Sequence, residues 1–414
     1  MMRTFILGVL GVLSAITAAA NAVLPQTNAS ANGAEESRQK KADFKDIHIT
    51  HGPYLHNITP TGATVIWTTD KPAVSWVEIA PEDGSHFYEK DRRKFYNAPL
   101  GKKVVGTVHS VRVEGLNPAT TYNYRVFSTK VLAEEGAQTY YGFTASTKVY
   151  KREPLKLKTL DTAKKTLKFS VFNDIHQKPE VAANMLSNMP ENSDFILING
   201  DMVNEMNSQE ELFKYFMDAV AAHCGKTGLT MFSVRGNHET RGEFSEAFST
   251  FFPTPTGKTY FSFRVGPVFF VAVDGGEDKP DNDIEYFGRS DFDNFRTEQA
   301  RWLESVVKSE EFKSAPVKIL ISHIPPAWGS WHGSKDFQNK FAKTINNAGF
   351  SLIISGHLHK HIFFKPTELI YVPNIANSNT EMMNVSVGAD KIAMSFVDQF
   401  GKKTRDDIVV DVKK

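Results

Sequence analysis

Asn237-His238-Glu239, standing behind Gly236 at the end of the apolar run MFSVR, sets an amide, an imidazole and a carboxylate side by side. Burying such groups costs free energy unless partners satisfy them, so the triplet marks either a solvated turn or a site where an ion or a substrate meets all three. The arrangement recurs along the chain. LKFSVF is followed by Asn173-Asp174-Ile175-His176, FILI by Asn199-Gly200-Asp201, KILIS by His323, and SLIIS by Gly356-His357-Leu358-His359. Taken singly, an Asp-x-His after a strand reads as a capped turn and a Gly-His-x-His as a surface loop. Five in order, each at the carboxyl end of an apolar β-rich run, read together as one metal-competent site, because open α/β sheets gather their ligands at that edge. Carboxylate, imidazole and amide oxygen suit borderline divalent ions such as Zn, Mn and Fe.

The elements that must position these side chains follow from the hydrophobic pattern. From about Lys165 onward, apolar runs alternate with helical segments such as EVAANMLSNM, EELFKYFMDAVAAH, TEQARWLESVVKS and DFQNKFAKTINNA. Strands covered on both faces give this pattern, so an α/β or layered α/β/β/α domain is expected over 165–414. Before it the periodicity is different. ATVIWTT, VSWVEIA, HSVRVEGL and TYNYRVF are short alternating strands separated by Pro, Gly and Asp, which predicts an antiparallel β-sandwich over 44–150. The stretch 151–164, with Pro154, reads as the linker.

The series D-x-H, G-D, G-N-H-E, H, G-H-x-H resembles the signature of calcineurin-like metallophosphoesterases, over roughly residues 166–400. The sandwich resembles the fibronectin type III-like N-terminal domain of purple acid phosphatases, and Leu116-Asn117-Pro118-Ala119-Thr120-Thr121-Tyr122 resembles the L-x-P-x-T-x-Y corner of fibronectin type III domains. In that corner Tyr122 is a core tyrosine whose hydroxyl ties back to the backbone. The first resemblance implies a two-metal site. Asp174, His176 and His359 would hold one ion, Asn237, His323 and His357 the other, and Asp201 would bridge them. His238 would stand beside the substrate phosphate as an acid. Glu239 would orient the histidine or a neighbouring helix, or remain a solvated carboxylate at a helix start. The implied reaction is hydrolysis of a small phosphate ester with a bridging hydroxide as nucleophile; a monoester is favoured over a diester, although these ligands are common to both. Purple acid phosphatases carry an iron-ligating tyrosine three residues after the bridging aspartate; that position is Asn204, and His176 is a histidine they lack. A colourless protein is expected.

At 414 residues, two domains are the natural division. The composition, 41% hydrophobic and 23% charged with a net charge of +1, is that of a globular protein and predicts neither a nucleic-acid partner nor an anionic membrane surface. Residues 1–22 combine Arg3, an apolar run and Ala20-Asn21-Ala22, a secretory signal peptide that would export the chain, periplasmic or secreted, with no stable membrane anchor after cleavage. Residues 23–43 read as a flexible tether. Cys224 is the only cysteine, so burial rather than a disulfide must hold both domains together.

Other signals carry less. The Gly-Lys-Thr triplets at Gly225 and Gly257 lack the glycine five residues earlier that a phosphate-binding loop needs, and His238-Glu239 has Gly242 where a zinc protease has histidine. His361 lies beyond the motif. Trp328, Trp331 and His332 follow His323 and read equally as a pocket wall or as loop packing. The acidic loop 276–291 reads equally as a border of the site or as a solvated loop, and Glu298 to Val307 as an amphipathic helix. The rival functional reading is a non-catalytic extracytoplasmic binding protein with a vestigial hydrolase domain. Degenerate enzymes usually lose a ligand, whereas here all seven positions and His238 are filled.

Overall fold

In the first half, apolar side chains at every second position build two layers that share one core. The computed structural model describes residues 46–148 and 153–413; the expected signal peptide and tether lie outside the described residues. The front sheet contains β1 (Ile49–Thr59), β2 (Gly62–Pro81), β3 (Arg93–Tyr96), β4 (Val105–Glu114), β5 (Thr121–Glu135), β6 (Gln138–Ser146) and β7 (Leu155–Lys158). ATVIWTT and VSWVEIA, expected as separate strands, are one strand, β2. The break between them is a register shift around Pro72, which has no N–H for the ladder, so the strand bends without ending. Its first half pairs with β1 and β4, its second with β3 and β5, so β2 crosses from one layer of the sandwich to the other. Val65, Trp67, Val77, Val111, Tyr124 and Val126 fill the space between. The Tyr122 hydroxyl accepts from the Asn117 N–H at 2.9 Å, the tie-back expected of this corner.

The second half is two six-stranded mixed sheets face to face. One runs β10 (Thr230–Val234), β9 (Phe195–Asn199), β8 (Leu167–Phe172), β17 (Met382–Val387), β18 (Lys391–Val397), β19 (Ile408–Asp411). The other runs β11 (Phe261–Val265), β12 (Val268–Val273), β13 (Val317–Ser322), β14 (Leu352–Ser355), β16 (Asn374–Ala376), β15 (Ile362–Phe364). The runs are apolar at consecutive positions because both faces are buried. Phe195 and Leu197 point into the core between the sheets, while Ile196 and Ile198 face the outer cluster with the helices Pro179–Ser187 and Asp218–Thr227. On the other sheet Phe270 and Ala272 point inward, and Val271 and Val273 meet the helices Phe292–Val306 and His332–Asn347. This is the expected α/β/β/α layering. The helix expected at Glu298 starts at Phe292, and the early turn buries Arg296, whose guanidinium meets Asp293, Asp336 and the Gly275 carbonyl. No helix among the described residues is long and apolar enough to cross a membrane.

β8, β9 and β10 are parallel, as are β12, β13, β14 and β16, so the segments after β8, β9, β10, β13 and β14 can meet at one end. β1 packs along the outer side of the first sheet. The Tyr54 hydroxyl donates to the Phe251 carbonyl at 2.8 Å, and His56 Nδ1 donates to the Pro253 carbonyl at 2.7 Å.

Burial pushes the His56 imidazole down to about 4, with its hydrogen bond to Pro253 acting the other way, and burial alone takes His109 to the same value. Both rings are uncharged when folded, but take up a proton near pH 6.5 in the unfolded chain. Stability is therefore full above pH 6.5 and falls as the pH drops from there toward 4, by on the order of 2–3 kcal/mol per ring. Urea midpoints between pH 7 and pH 4.5 should fall, and His109→Gln should flatten that fall. Equal pH dependence in the wild type and the variant would contradict this assignment.

Candidate metal centre

Each chemistry-bearing segment leaves its strand through an abrupt turn. Asp174, His176, Asp201, His357 and His359 all have positive φ, between +48° and +70°. Non-glycine residues avoid this region at a cost of about 1–3 kcal/mol each, so five in one cluster mark a backbone bent to aim side chains. Gly200 lets two of the turns approach, since a Cβ there would sit 2.5 Å from His323 Nδ1 and 2.7 Å from the Gly236 backbone.

The seven expected ligands converge. Asp174, His176 and His359 present ligand atoms within 4.8 Å of one another, as do Asp201, His323 and His357. Asp174 Oδ2 accepts from the His357 N–H at 2.9 Å and from Asn173 Nδ2 at 2.6 Å. Its Oδ1, buried and without a hydrogen-bond partner, lies 3.3 Å from His359 Nε2, 3.8 Å from His176 Nε2 and 3.9 Å from His323 Nε2. Asp201 Oδ1 accepts from the His238 N–H at 3.0 Å, and Oδ2 lies 2.9 Å from His323 Nε2. His323 Nδ1 donates to the Asn199 carbonyl at 2.6 Å, which directs Nε2 at the carboxylates. Across the cluster His176 Nε2 and His359 Nε2 stand 2.9 Å apart.

Asn237 has two ways to fit. One amide atom lies 3.0 Å from His357 Nδ1 and 3.3 Å from Asp201 Oδ2, and the other 3.0 Å from Arg241 Nη2. With nitrogen inward the amide donates to both neighbours and accepts from Arg241. With oxygen inward, the ligand orientation, every atom around it offers a lone pair, which a cation satisfies.

The electrostatics favour a cation. His323 is fully buried, which lowers its proton affinity, yet the Asp201 and Asp174 carboxylates outweigh this and hold it at about 10. Burial also works against the Asp201 charge, but His323 and His238 keep its carboxyl well below the usual range. Two buried carboxylates, one with a partnerless oxygen, suit two cations.

Glu239 is neither solvated nor beside the His238 ring. It is buried, 2% exposed, and its carboxylate accepts from the Asp201, Met202 and Gly236 N–H groups at 2.9, 2.7 and 2.9 Å. It thus locks the turn after β9 to the turn after β10. Burial, then the nearby Asp201 charge, raises its pKa, while the amides oppose them. Asn204 bonds His176 Nδ1 through its side chain at 3.1 Å and accepts from His238 Nδ1 through its carbonyl at 2.7 Å. That leaves His238 Nε2 free, 3.9 Å from Asp201 Oδ2. His361 joins Glu381 and the Phe396 ring instead of the ligand groups, and His332 pairs with Asp293.

Two contributors were not singled out in the sequence. Glu277 accepts two bonds from Arg241 and one from Thr240, fixing the segment after Asn237. Asp278 Oδ2 lies 3.3 Å from His357 Nε2, a carboxylate steadying the far side of an expected ligand. Both lie within the acidic loop, whose composition alone carries no direction.

Residues 167–361 match the family Calcineurin-like phosphoesterase, and residues 47–148 match Purple acid Phosphatase, N-terminal domain. The segment 167–361 is thus similar to the calcineurin-like phosphoesterases, with the second match ahead of it in the chain. It is 25% identical over 194 residues to the human Serine/threonine-protein phosphatase CPPED1, covering 44% of this chain and 57% of that protein. The mouse protein of the same name is 26% identical over 191 residues, with the same coverage. The chain thus spans little more than half the length of these relatives. Among solved structures, PhoD superposes with a TM-score of 0.58 at 13% identity, covering 87% of this chain and 90% of that one, a likeness of fold.

Glu239→Gln should destabilise the protein even in chelator, by about 2–4 kcal/mol, because an amide N–H₂ would face backbone donors. Thermal unfolding in EDTA checks this. An unchanged midpoint would mean that the carboxylate does not tie the turns.

Proposed function

We propose that the protein is an exported, metal-dependent phosphatase that hydrolyses phosphate monoesters at a dinuclear centre. The observation that carries the reading is the convergence of Asp174, His176 and His359 with Asp201, His323 and His357 around two buried carboxylates. Asn237 would complete the second ligand set and Asp201 would serve both ions. The imidazole, carboxylate and amide donors fit Fe, Mn or Zn. Two such ions supply an activated water at neutral pH and neutralise the phosphoryl oxygens. The relatives' name, serine/threonine-protein phosphatase, favours a monoester. Export rests on the apolar segment and Ala20-Asn21-Ala22.

The chain's own residues divide the remaining work. Water oxygen bonds to phosphorus as the bond to the leaving oxygen breaks, and that oxygen needs a proton. His238 is placed to give it. Its Nδ1–H is committed to the Asn204 carbonyl, its backbone N–H to Asp201, and its half-buried ring presents Nε2 to the cleft. A positioned acid of this kind contributes about 10²–10⁴-fold. Asn204, held between His176 and Gln177, offers no phenolate to iron.

Chelation should abolish hydrolysis of p-nitrophenyl phosphate, and one of Mn, Zn or Fe should restore it. His238→Ala should lower kcat by about 10²–10⁴-fold with the metals retained, and Asp201→Asn should lose both activity and metal. Failure of every metal to restore turnover of this ester and of its bis-ester would sink the catalytic reading. The iron-loaded protein should lack a strong visible charge-transfer band, and such a band would overturn the assignment at Asn204.

A further inference from the structure

Beside the metal centre lies a cavity of about 500 Å³ that the residues discussed so far do not explain. Asp278, Trp328, Trp331, Ser334, His357 and Leu358 line it. His357 belongs to one ligand group, so the cavity and the metal centre share a wall. Trp328 and Trp331 are 49% and 55% exposed. Indoles bury more area than most side chains when packed, so two left half-open beside a reaction centre call for an occupant.

The loop that carries them is held. Trp328 N–H bonds the Pro325 carbonyl at 3.1 Å, Gln338 Nε2 bonds the Pro326 carbonyl at 3.0 Å, and Gly333 N–H bonds the Asp278 carbonyl at 2.6 Å. Gly329 has φ +104°, and a Cβ there would sit 2.5 Å from Ser334 Oγ, so the turn between the two tryptophans is tight. Trp328 rests against Phe364, with ring centroids 5.8 Å apart. Trp328 is thus seated on a held turn with Trp331 three residues along it, which spares a ligand part of the entropy of ordering the platform. Neither lysine nor arginine lines the cavity, and its one carboxylate, Asp278, already faces His357. The platform therefore suits a flat, uncharged ring bearing hydrogen-bond donors, and disfavours a second acidic group.

We propose that this cavity binds the leaving group of the substrate, and that the group is a planar aromatic ring, a nucleoside base or an aryl alcohol, stacked on Trp328 and Trp331. The proposal rests on the phosphatase reading above, with the phosphate at the metal centre and the ring beside His357. Stacking on an aromatic side chain is worth about tenfold or more in affinity.

Uridine 5′-monophosphate and ribose 5-phosphate share one leaving oxygen and differ only in the ring, so their ratio of kcat/KM isolates the stacking. The metal-loaded protein should favour the nucleotide by about tenfold or more, mainly through KM, with phenyl phosphate as the aryl arm. Trp328→Ala and Trp331→Ala should bring the ratio toward one, and Trp328→Phe should keep most of it. A second readout needs no turnover: uridine, but not ribose, should quench indole fluorescence of the chelated protein saturably, and Trp331→Ala should weaken this. Equal kcat/KM for all three esters, or a preference that the tryptophan substitutions leave intact, overturns the subsite while the phosphatase reading stands. Preference for phenyl phosphate alone, lost in the variants, assigns the ring to an aryl alcohol. Absence of metal-dependent hydrolysis of all three esters, and of p-nitrophenyl phosphate, overturns the phosphatase reading and the substrate class with it, while the quenching still reports whether the platform binds a ring.

Discussion

Three carboxylates, Asp174, Asp201 and Glu239, are buried within one small volume, each 3% exposed or less. Placing like charges together out of water is prohibitive unless each is answered by donors or cations. The rest of the site is arranged around that demand. Glu239 is answered entirely by backbone N–H groups from two turns, and so acts as a structural anion. Asp174 and Asp201 are answered only in part: one oxygen of each takes a backbone N–H, and the other is turned toward imidazole nitrogens of the ligand groups. That asymmetry separates a carboxylate that holds the fold from one that awaits an ion.

The same demand explains the backbone. Five ligand positions sit at positive φ, a conformation that side chains resist, and the strain is tolerable because the turns are fixed from outside. Glu239 ties the turn after β9 to the turn after β10, Asp174 fastens the turn after β8 to that after β14, and Glu277 secures Arg241 just beyond Asn237. Behind them the two sheets bury apolar residues on both faces, so the strand ends have little freedom. The front sandwich adds to this rigidity through Tyr54 and His56 on the outer side of the first sheet.

Much of this was legible in the sequence, and for a physical reason. A ligand placed directly after a strand is read from the same short window as the strand, so Asp174, His176, Asp201, Asn237, His323, His357 and His359 stood out together. The inner and outer faces of LKFSVF and FILI gave the layering in the same way. What escaped depends on distant partners. The anchoring role of Glu239 requires amides 36 to 38 residues away in the chain. The strands β17, β18 and β19 complete the first sheet, yet β17 pairs with β8 across more than 200 residues, and no local pattern announces that. Glu277 and Asp278 lie in a loop whose composition reads equally as a border of the site or as a solvated loop, and only the fold turns them inward. β2 was read as two strands because Pro72 is a reliable breaker except where a bulge absorbs it.

The central claim is that Asp201 is shared by two ions held by separate ligand groups. The most direct measurement is electron paramagnetic resonance of the manganese-loaded protein during stoichiometric titration. The account predicts two ions per chain and an exchange-coupled signal of a bridged pair at saturation, replaced by isolated six-line spectra in Asp201→Asn. Uncoupled, mononuclear spectra at every loading of the unmodified protein would contradict it.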